Sequence, residues 1–158
     1  MSEHLKCKQC HAEMSQQDLD GVSGEQGVLK VAFQKLPAMV CPNGHKRFVS
    51  PQFPMQLLDH LAGEDEAELA SGKKKGLIFK EYHCGSCDAK LPSEASGSRT
   101  FGFSVGIKGL APFRAELTAP VYKCPSCGKE QIHSLEEMQG LTPAAMAHAF
   151  KAAGLKPE

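Results

Sequence analysis

The sequence has no tryptophan, no excess of charge of either sign and no long apolar run. Its 158 residues include 18 Lys and Arg and 18 Asp and Glu, so the formal net charge is zero. Broad electrostatic binding to nucleic acid or to a membrane surface needs an excess of basic residues, which this chain lacks. No stretch approaches the roughly 18 apolar residues that a membrane span needs, and residues 1–10 do not have the pattern of a secretory signal. We therefore expect a cytoplasmic protein with no membrane partner.

Aromatic side chains are too few to fill two separate cores easily. The chain has two Tyr and eight Phe, and domains below about 70 residues usually need a staple such as a metal ion. Seven cysteines could supply the ligands. An odd number of cysteines fits a disulfide framework poorly, and disulfides are rare in reducing compartments. The composition therefore favours metal ligation.

Most of the cysteines occur as C-x-x-C pairs. The pairs and the single cysteine are Cys7 with Cys10, Cys41 alone, Cys84 with Cys87, and Cys124 with Cys127. The segment CKQCHAEM, residues 7–14, matches CGSCDAKL, residues 84–91, and the Cys-Pro at residues 41–42 matches that at residues 124–125. His45 stands beside the position that corresponds to the last cysteine. We interpret this pattern as an internal repeat in which each half supplies four metal ligands.

The repeat continues into a short predicted helix after each ligand set. In residues 50–63, Ser50 is the expected N-cap and Gly63 the expected end. In residues 142–154, Thr142 and Gly154 have the same roles, and a proline follows each N-cap. An acidic cluster and three lysines, flanked by glycines, separate the halves and read as an exposed linker. The expected divisions are 1–63 for the first unit, 64–77 for the linker and 78–158 for the second unit.

Two segments between the ligand pairs have the alternation of half-buried strands. Apolar residues alternate with small or polar residues in residues 29–34 and 101–107. Residues 113–123 are expected to form the return strand of the second hairpin. Further along, Ser134 and Glu137 have the spacing of a capping box, which is typical of a helix start.

The ligand types and their spacing predict two structural zinc ions per chain. Zinc takes four sulfur and nitrogen ligands in a closed tetrahedron, and a C-x-x-C turn presents two sulfurs to one ion. The expected ligands are Cys7, Cys10, Cys41 and His45 at the first site and Cys84, Cys87, Cys124 and Cys127 at the second. His11 competes with His45 for the fourth place. Haem attachment at residues 7–11, which have the form C-x-x-C-H, would leave Cys41 and His45 without a role and has no counterpart at Asp88 in the second half.

Both halves resemble zinc ribbons, over residues 5–49 and 82–133, through these ligands and the Cys-Pro turns. The resemblance implies hairpins whose ends clamp one ion under a small antiparallel sheet. We therefore expect a small metal-stabilised α+β fold of two tandem zinc ribbons, each followed by a short helix. The segment LPAMVC, residues 36–41, is also similar to the N-terminal zinc-binding domains of some bacterial antitoxin regulators. The segment CPSCGK, residues 124–129, resembles rubredoxin knuckles.

The expected function is that of an adaptor or regulatory module that binds another protein. Nucleic-acid binding in transcription is one alternative, and its candidate contacts are Lys46, Arg47, Arg99, Arg114 and Lys123. Electron transfer by iron at the four-cysteine site is another. A catalytic zinc keeps an open coordination position, whereas both sites here are full, so no catalytic residue is predicted. A first site without His45 would reopen the question of enzyme activity.

Overall fold

The computed structural model describes residues 6–76 and 81–156, which form two helices and eleven strands. The strands are β1 (Ser15–Leu19), β2 (Val22–Gln26), β3 (Leu29–Gln34), β4 (Leu36–Val40), β5 (Lys46–Arg47), β6 (Lys73–Lys75), β7 (Glu81–His83), β8 (Gly97–Val105), β9 (Phe113–Lys123), β10 (Glu130–Gln131) and β11 (Leu155–Lys156). Helix α1 (Phe53–Leu58) continues into a π-helical segment (Asp59–Asp65) and a 3₁₀ turn (Glu66–Glu68), and α2 spans Leu135–Ala153. No helix within the described residues has the length and apolar composition that a membrane crossing requires.

The largest sheet is antiparallel and draws strands from both halves of the chain. Strand β9 is central and pairs with β8 on one side and with β3 on the other. Leu117 of β9 stands opposite Val31 of β3 and Phe101 of β8 in the register. Strand β2 pairs with β3, and β10 pairs with the last residues of β9. The sheet is therefore continuous across the two halves that the sequence suggested.

The strands predicted from apolar alternation are confirmed. Strand β3 has the predicted bounds, and its alternate residues Leu29, Val31 and Phe33 are buried. Strand β9 covers the predicted return strand. Strand β8 begins before the predicted segment and ends at Val105, so Ile107 lies beyond it. The period-two pattern identifies these strands because one face of the sheet packs on a helix.

Helix α2 covers that face of the sheet. Its Phe150 ring stacks against Phe33 of β3, with the ring centroids 6.2 Å apart. Gly24 of β2 permits a close approach, because a Cβ atom there would lie 2.2 Å from the backbone nitrogen of Ala149 and 2.5 Å from the carbonyl oxygen of Ala145. Residues of both halves fill the core between α2 and the sheet. The chain thus forms one shared core where the composition had suggested two small ones.

The first predicted helix differs from the structure at both ends. The N-cap is Gln52 rather than Ser50. The carbonyl oxygen of Ser50 accepts a hydrogen bond from the Phe53 amide at 3.2 Å. Gly63 lies within the π-helical segment and does not end the helical stretch. The predicted stop is wrong because Leu61 is fully buried and the segment stays packed on the core beyond it.

The second predicted helix ends as expected but begins earlier. Gly154 ends α2 with a left-handed φ of 82°, as predicted. The predicted start at Thr142 is wrong, because the N-cap of the helix is Ser134. The Ser134 hydroxyl accepts a hydrogen bond from the Glu137 amide at 3.3 Å, as the capping-box spacing predicts. Pro143 lies inside the helix. The earlier start is favoured because Met138 is buried against the same core as the later turns.

The segment predicted to be an exposed linker is packed at its acidic end. Asp65 is 8% exposed and Glu66 is 0% exposed, so the predicted exposure is wrong for both. The three lysines form β6, which pairs with β7. Residues 77–80, which include the end of the predicted linker, lie outside the described residues. The division of the chain into units 1–63 and 78–158 stays a prediction.

A smaller sheet places the end of α2 beside the first cysteine cluster. Its strand order is β1, β4, β5 and β11, in which β5 directly follows His45 and pairs in parallel with β11. Lys46 donates a hydrogen bond from Nζ to the carbonyl oxygen of Ala153 at 3.1 Å. The C-terminal strand therefore rests against the segment that leaves the first cluster.

Candidate metal centres

The first cysteine pair lies on a tight turn closed by backbone hydrogen bonds. The amide of Cys7 donates to the carbonyl oxygen of Ala12, and the amide of His11 donates to the carbonyl oxygen of Cys7, both at 2.8 Å. His11 has a φ of 60°, a left-handed conformation that few residues other than glycine adopt. The turn points the Cys7 and Cys10 sulfurs toward the same space and leaves the His11 side chain exposed.

Two further turns repeat this geometry. In each turn, the amide of the first cysteine donates to the carbonyl oxygen of the residue five positions later. The amide of the residue four positions later donates to the carbonyl oxygen of that cysteine. The residues are Cys84 with Ala89 (2.7 Å) and Asp88 (3.0 Å), and Cys124 with Lys129 and Gly128 (both 2.9 Å). Asp88 and Gly128 have φ values of 64° and 77°. The three C-x-x-C pairs thus share one turn type, with the left-handed residue directly after the second cysteine.

The fourth turn is one residue shorter and ends in histidine. Gly44 takes the left-handed position with a φ of 85°, and its amide donates to the Cys41 carbonyl oxygen at 3.0 Å. The Cys41 amide bonds to the carbonyl oxygen of His45 at 3.0 Å. The shorter turn therefore brings an imidazole, rather than a second thiol, next to Cys41.

The first cluster consists of Cys7, Cys10, Cys41 and His45, whose nearest ligand atoms all lie within 4.8 Å of one another. Nδ1 of His45 lies 3.3 Å from the Cys7 sulfur and 3.4 Å from the Cys41 sulfur, so Nδ1 is the nitrogen that faces the cluster. The sulfurs of Cys10 and Cys41 are 3.7 Å apart. Cys7 and Cys41 are buried, while Cys10 and His45 are partly buried.

Local hydrogen bonds and burial set the thiol pKa values of the first cluster in opposite directions. The Asn43 side chain, followed by the backbone at Ala12, lowers the pKa of Cys10 to about 6. Burial raises the pKa of Cys41. The amide of His45 also donates to the Cys41 sulfur at 3.3 Å. Such donors stabilise a thiolate, the form in which cysteine binds metal.

The second cluster consists of Cys84, Cys87, Cys124 and Cys127, whose sulfurs lie within 4.8 Å of one another. The Cys84 and Cys127 sulfurs are 3.6 Å apart, and those of Cys87 and Cys124 are 3.4 Å apart. Cys84 and Cys124 are buried, whereas Cys87 and Cys127 are exposed. This cluster therefore lies closer to solvent than the first.

A glutamine outside the four-cysteine motif supports the second cluster. Gln131 donates from Nε2 to the Cys84 sulfur at 3.2 Å, and its Oε1 accepts from the Gly85 amide at 2.9 Å. The backbone amide of Cys87, followed by the Gln131 side chain, lowers the pKa of Cys84 to about 5. Gln131 is 2% exposed. No sequence motif singles out Gln131, whose one signal is its place on the short strand β10 after the Cys124–Cys127 turn.

The two donor sets fit a tetrahedral zinc ion. A zinc–sulfur bond of about 2.3 Å places tetrahedral sulfurs about 3.8 Å apart, close to the 3.4–3.7 Å separations here. All seven cysteines are free, so no thiol is consumed by a disulfide. Three sulfurs and one nitrogen, or four sulfurs, are ligand sets of closed structural sites. Each cluster can therefore hold one ion without an additional ligand.

The remaining candidate residues do not join either cluster. His11 lies outside the first ligand group. Arg99 stands opposite Ala119 and Arg114 opposite Ser104 in the β8–β9 register, which places the two arginines on opposite faces of the sheet because strand side chains alternate. They pair with Glu130 and Glu116 respectively, both at 3.2 Å. The two arginines therefore do not share one face of the sheet.

The other basic candidates also lie apart. Lys46 and Arg47 belong to β5 in the smaller sheet, whereas Lys123 ends β9 in the larger one. Lys46 is engaged at the end of α2. Within the described residues the five candidates therefore belong to two different sheets, and nucleic-acid binding stays a prediction.

Comparisons with protein-family models, with curated proteins and with solved structures found no match to this chain. The class of protein is therefore given by its own geometry. Two groups of four cysteine and histidine side chains, each converging on one point, define a metal-binding module with an α+β fold.

Proposed function

We propose that this protein is a cytoplasmic zinc-binding module that holds two structural zinc ions and acts through interaction with another protein. The observation that carries the proposal is the convergence of four ligand atoms within 4.8 Å at each cluster. Both ligand sets are complete without water or substrate. A complete set is typical of a structural site, whereas a catalytic site keeps a position open. The proposal therefore includes no enzymatic reaction.

The proposal also assigns a zinc ribbon to each half of the chain. Its support is the recurrence of one turn geometry at Cys7, Cys84 and Cys124, with a shortened version at Cys41. In a zinc ribbon, two such turns face each other across one ion. The first ion would then tie the turn at Cys7 to the turn that enters β5, and the second would tie the turn at Cys84 to the end of β9.

Metal analysis of the intact protein tests the proposal. Native mass spectrometry should give two zinc ions per chain, and the visible spectrum of the same sample should show no absorption. Iron with a coloured spectrum would contradict zinc and favour electron transfer at the four-cysteine cluster. A chain without metal, prepared under reducing conditions with zinc present, would contradict the metal-binding function itself.

Two histidine variants test the ligand assignment at the first cluster. We expect His45→Ala to lower the zinc content from two ions to one, because removal of Nδ1 leaves three thiolates. His11→Ala is the matched control, since His11 lies directly after a C-x-x-C pair but outside the ligand group, and should keep both ions. Full zinc content with unchanged affinity in His45→Ala would show that the assignment is wrong.

A further inference from the structure

The two cysteine clusters differ in their access to solvent. In the second cluster Cys87 and Cys127 are exposed, and every residue of 85–88 and 125–128 is exposed with them. In the first cluster the three cysteines are buried or only partly buried. A small molecule in solution can therefore reach two thiols of the second cluster, whereas the first cluster has no exposed thiol.

Each exposed sulfur of the second cluster lies next to a buried sulfur of the other turn. The Cys127 and Cys84 sulfurs are 3.6 Å apart, and the Cys87 and Cys124 sulfurs are 3.4 Å apart. A disulfide bond is about 2.0 Å long, so each pair has to close by roughly 1.5 Å, which small side-chain rotations can supply. The four thiols thus divide into two pairs with none left over.

Contacts other than the sulfurs hold these two turns together. Lys129, which follows the second turn, donates a hydrogen bond from Nζ to the Ser86 hydroxyl at 3.1 Å. Gln131 accepts from the Gly85 amide at 2.9 Å and donates to the Cys84 sulfur at 3.2 Å. These hydrogen bonds join the turns without a metal ion. The paired sulfurs therefore stay near each other when the thiols react.

The first cluster does not allow the same complete pairing. It has three sulfurs, and its fourth position is Nδ1 of His45, which lies 3.3 Å from the Cys7 sulfur and 3.4 Å from the Cys41 sulfur. An imidazole forms no disulfide, so one thiol remains whichever two sulfurs combine. The Cys10 and Cys41 sulfurs, 3.7 Å apart, include no exposed cysteine. Only the second cluster can convert all of its thiols into disulfides.

We propose that the second cluster is a site of reversible oxidation by hydrogen peroxide, at which four thiolates become two disulfides, one between Cys84 and Cys127 and one between Cys87 and Cys124. In each pair the exposed thiolate attacks the O–O bond of the peroxide, a sulfur–oxygen bond forms and hydroxide leaves. The buried thiolate of the other turn then attacks this sulfur, the sulfur–sulfur bond forms and a second hydroxide leaves. Each disulfide thus costs one peroxide, which takes two electrons from two thiolates.

The oxidation removes the metal ligands of the second cluster and leaves its turns joined. Thiolates are the form of cysteine that binds metal, so a cluster with two disulfides loses its ion, while covalent bonds now link the same two turns. Loss of the ion rests on the proposed function, because it assumes that zinc occupies the cluster. The pairing of the cysteines does not depend on that assumption. The first cluster should keep its ion, since oxidation of cysteine depends on exposure.

Titration of the full, zinc-loaded chain with hydrogen peroxide tests the inference. A chromogenic indicator should record the release of one of the two zinc ions after about two peroxide molecules per chain. Alkylation should then find Cys7, Cys10 and Cys41 still reduced, and dithiothreitol with added zinc should restore the second ion. Release of both ions together, or of the first-cluster ion before the other, would overturn the inference.

Peptide mapping of the unreduced protein tests the pairing directly. Trypsin leaves Cys84 and Cys87 on one peptide, residues 81–90, and Cys124 and Cys127 on another, residues 124–129. Disulfides across the turns join these two peptides, whereas disulfides within the C-x-x-C pairs leave them separate. Fragmentation of the joined peptides should give the two proposed pairs. Separate peptides, or any other pairing, would overturn the inference even if zinc is released.

Two exchange variants separate the exposure of the thiols from their number. His45→Cys gives the first cluster four thiols without moving it to the surface, so its ion should still be the second to leave. Cys127→His gives the second cluster the donor types of the first and should halve its consumption of peroxide, because only one disulfide can form. Equal release from both clusters in His45→Cys would overturn the role of exposure.

Zinc content measured before peroxide is added distinguishes the two proposals. Wild-type protein that holds no zinc would contradict the proposed function, and its disulfide map would still show whether the cysteines pair across the turns. Wild-type protein that holds two ions and loses both at the same rate would contradict only the oxidation site.

Discussion

Glu66 is a fully buried carboxylate with only part of its hydrogen-bonding capacity used. It is 0% exposed, and its Oε1 accepts a hydrogen bond from the Thr142 hydroxyl on α2. Its Oε2 is buried without a partner among the described residues. Burial, opposed by the Thr142 hydrogen bond and assisted by the nearby Asp65 carboxylate, raises the pKa of Glu66 from 4.5 to about 7. Folding therefore favours the protonated form.

The contribution of Glu66 to the free energy of unfolding depends on the difference between its pKa values in the folded and unfolded chain. The unfolded chain loses the Glu66 proton near pH 4.5, whereas the folded chain keeps it until about pH 7. Stability from this group is therefore greatest below pH 4.5, falls as the pH rises between the two values and is constant above pH 7. One pKa unit corresponds to about 1.4 kcal/mol, so the full loss is on the order of 3 kcal/mol.

Replacement by glutamine isolates this contribution. Glu66→Gln keeps the acceptor for Thr142 and imitates the protonated carboxyl, so its stability should not vary with the titration of this position. The free energy of unfolding of Glu66→Gln relative to wild type should rise by about 2 kcal/mol between pH 5.5 and pH 8. Urea denaturation at several pH values, followed by circular dichroism, measures this difference and cancels the pH dependence of groups common to both proteins.

Glu68→Gln supplies the control for that experiment. Glu68 belongs to the same 3₁₀ turn but is exposed, so its replacement should change stability by less than about 0.5 kcal/mol at every pH. A difference between Glu66→Gln and wild type that stays constant from pH 5.5 to pH 8 would refute the argument. Such a result would mean that the carboxylate is already ionised in the folded protein at the lowest pH.

Two further substitutions test the packing of α2 and the support of the second cluster. Gly24→Ala should lower the free energy of unfolding by about 3 kcal/mol, because the new Cβ would meet the Ala149 backbone nitrogen at 2.2 Å. Gly102→Ala is the control and should cost much less, because its Cβ would meet the flexible side chain of Arg114. Thermal unfolding of the two variants compares these costs. Gln131→Leu removes the hydrogen-bond donor to the Cys84 sulfur. Zinc binding at the second cluster should weaken about tenfold, as measured by competition with a chelator.

The two groups of cysteine and histidine side chains could be predicted from the sequence because each turn depends on local spacing. A C-x-x-C pair forms one tight turn wherever it occurs, so three of the four turns were recognisable from their cysteines alone. His45 was found by comparing the two halves, although its turn is one residue shorter than the others. The chain brings together the eight predicted residues in two groups of four.

The shared core could not be predicted in this way. Pairing between β3 and β9 joins residues eighty or more positions apart, such as Lys30 and Thr118, and neither strand carries a local signal for that partner. The burial of Glu66 also depends on this long-range packing, because Thr142 reaches it from α2. Charge and flanking glycines therefore suggested an exposed linker where the folded chain has a buried carboxylate.

The cysteine clusters lie apart from the main core, so metal would stabilise the margins of this fold rather than replace its core. Cys7 and Cys41 form a separate small cluster with Met14, and Cys84 and Cys124 form another with Leu91, whereas the main core contains no cysteine among its buried residues. Metal at either site would thus fix the turns at the margins of the fold, and the two halves complete each other's core.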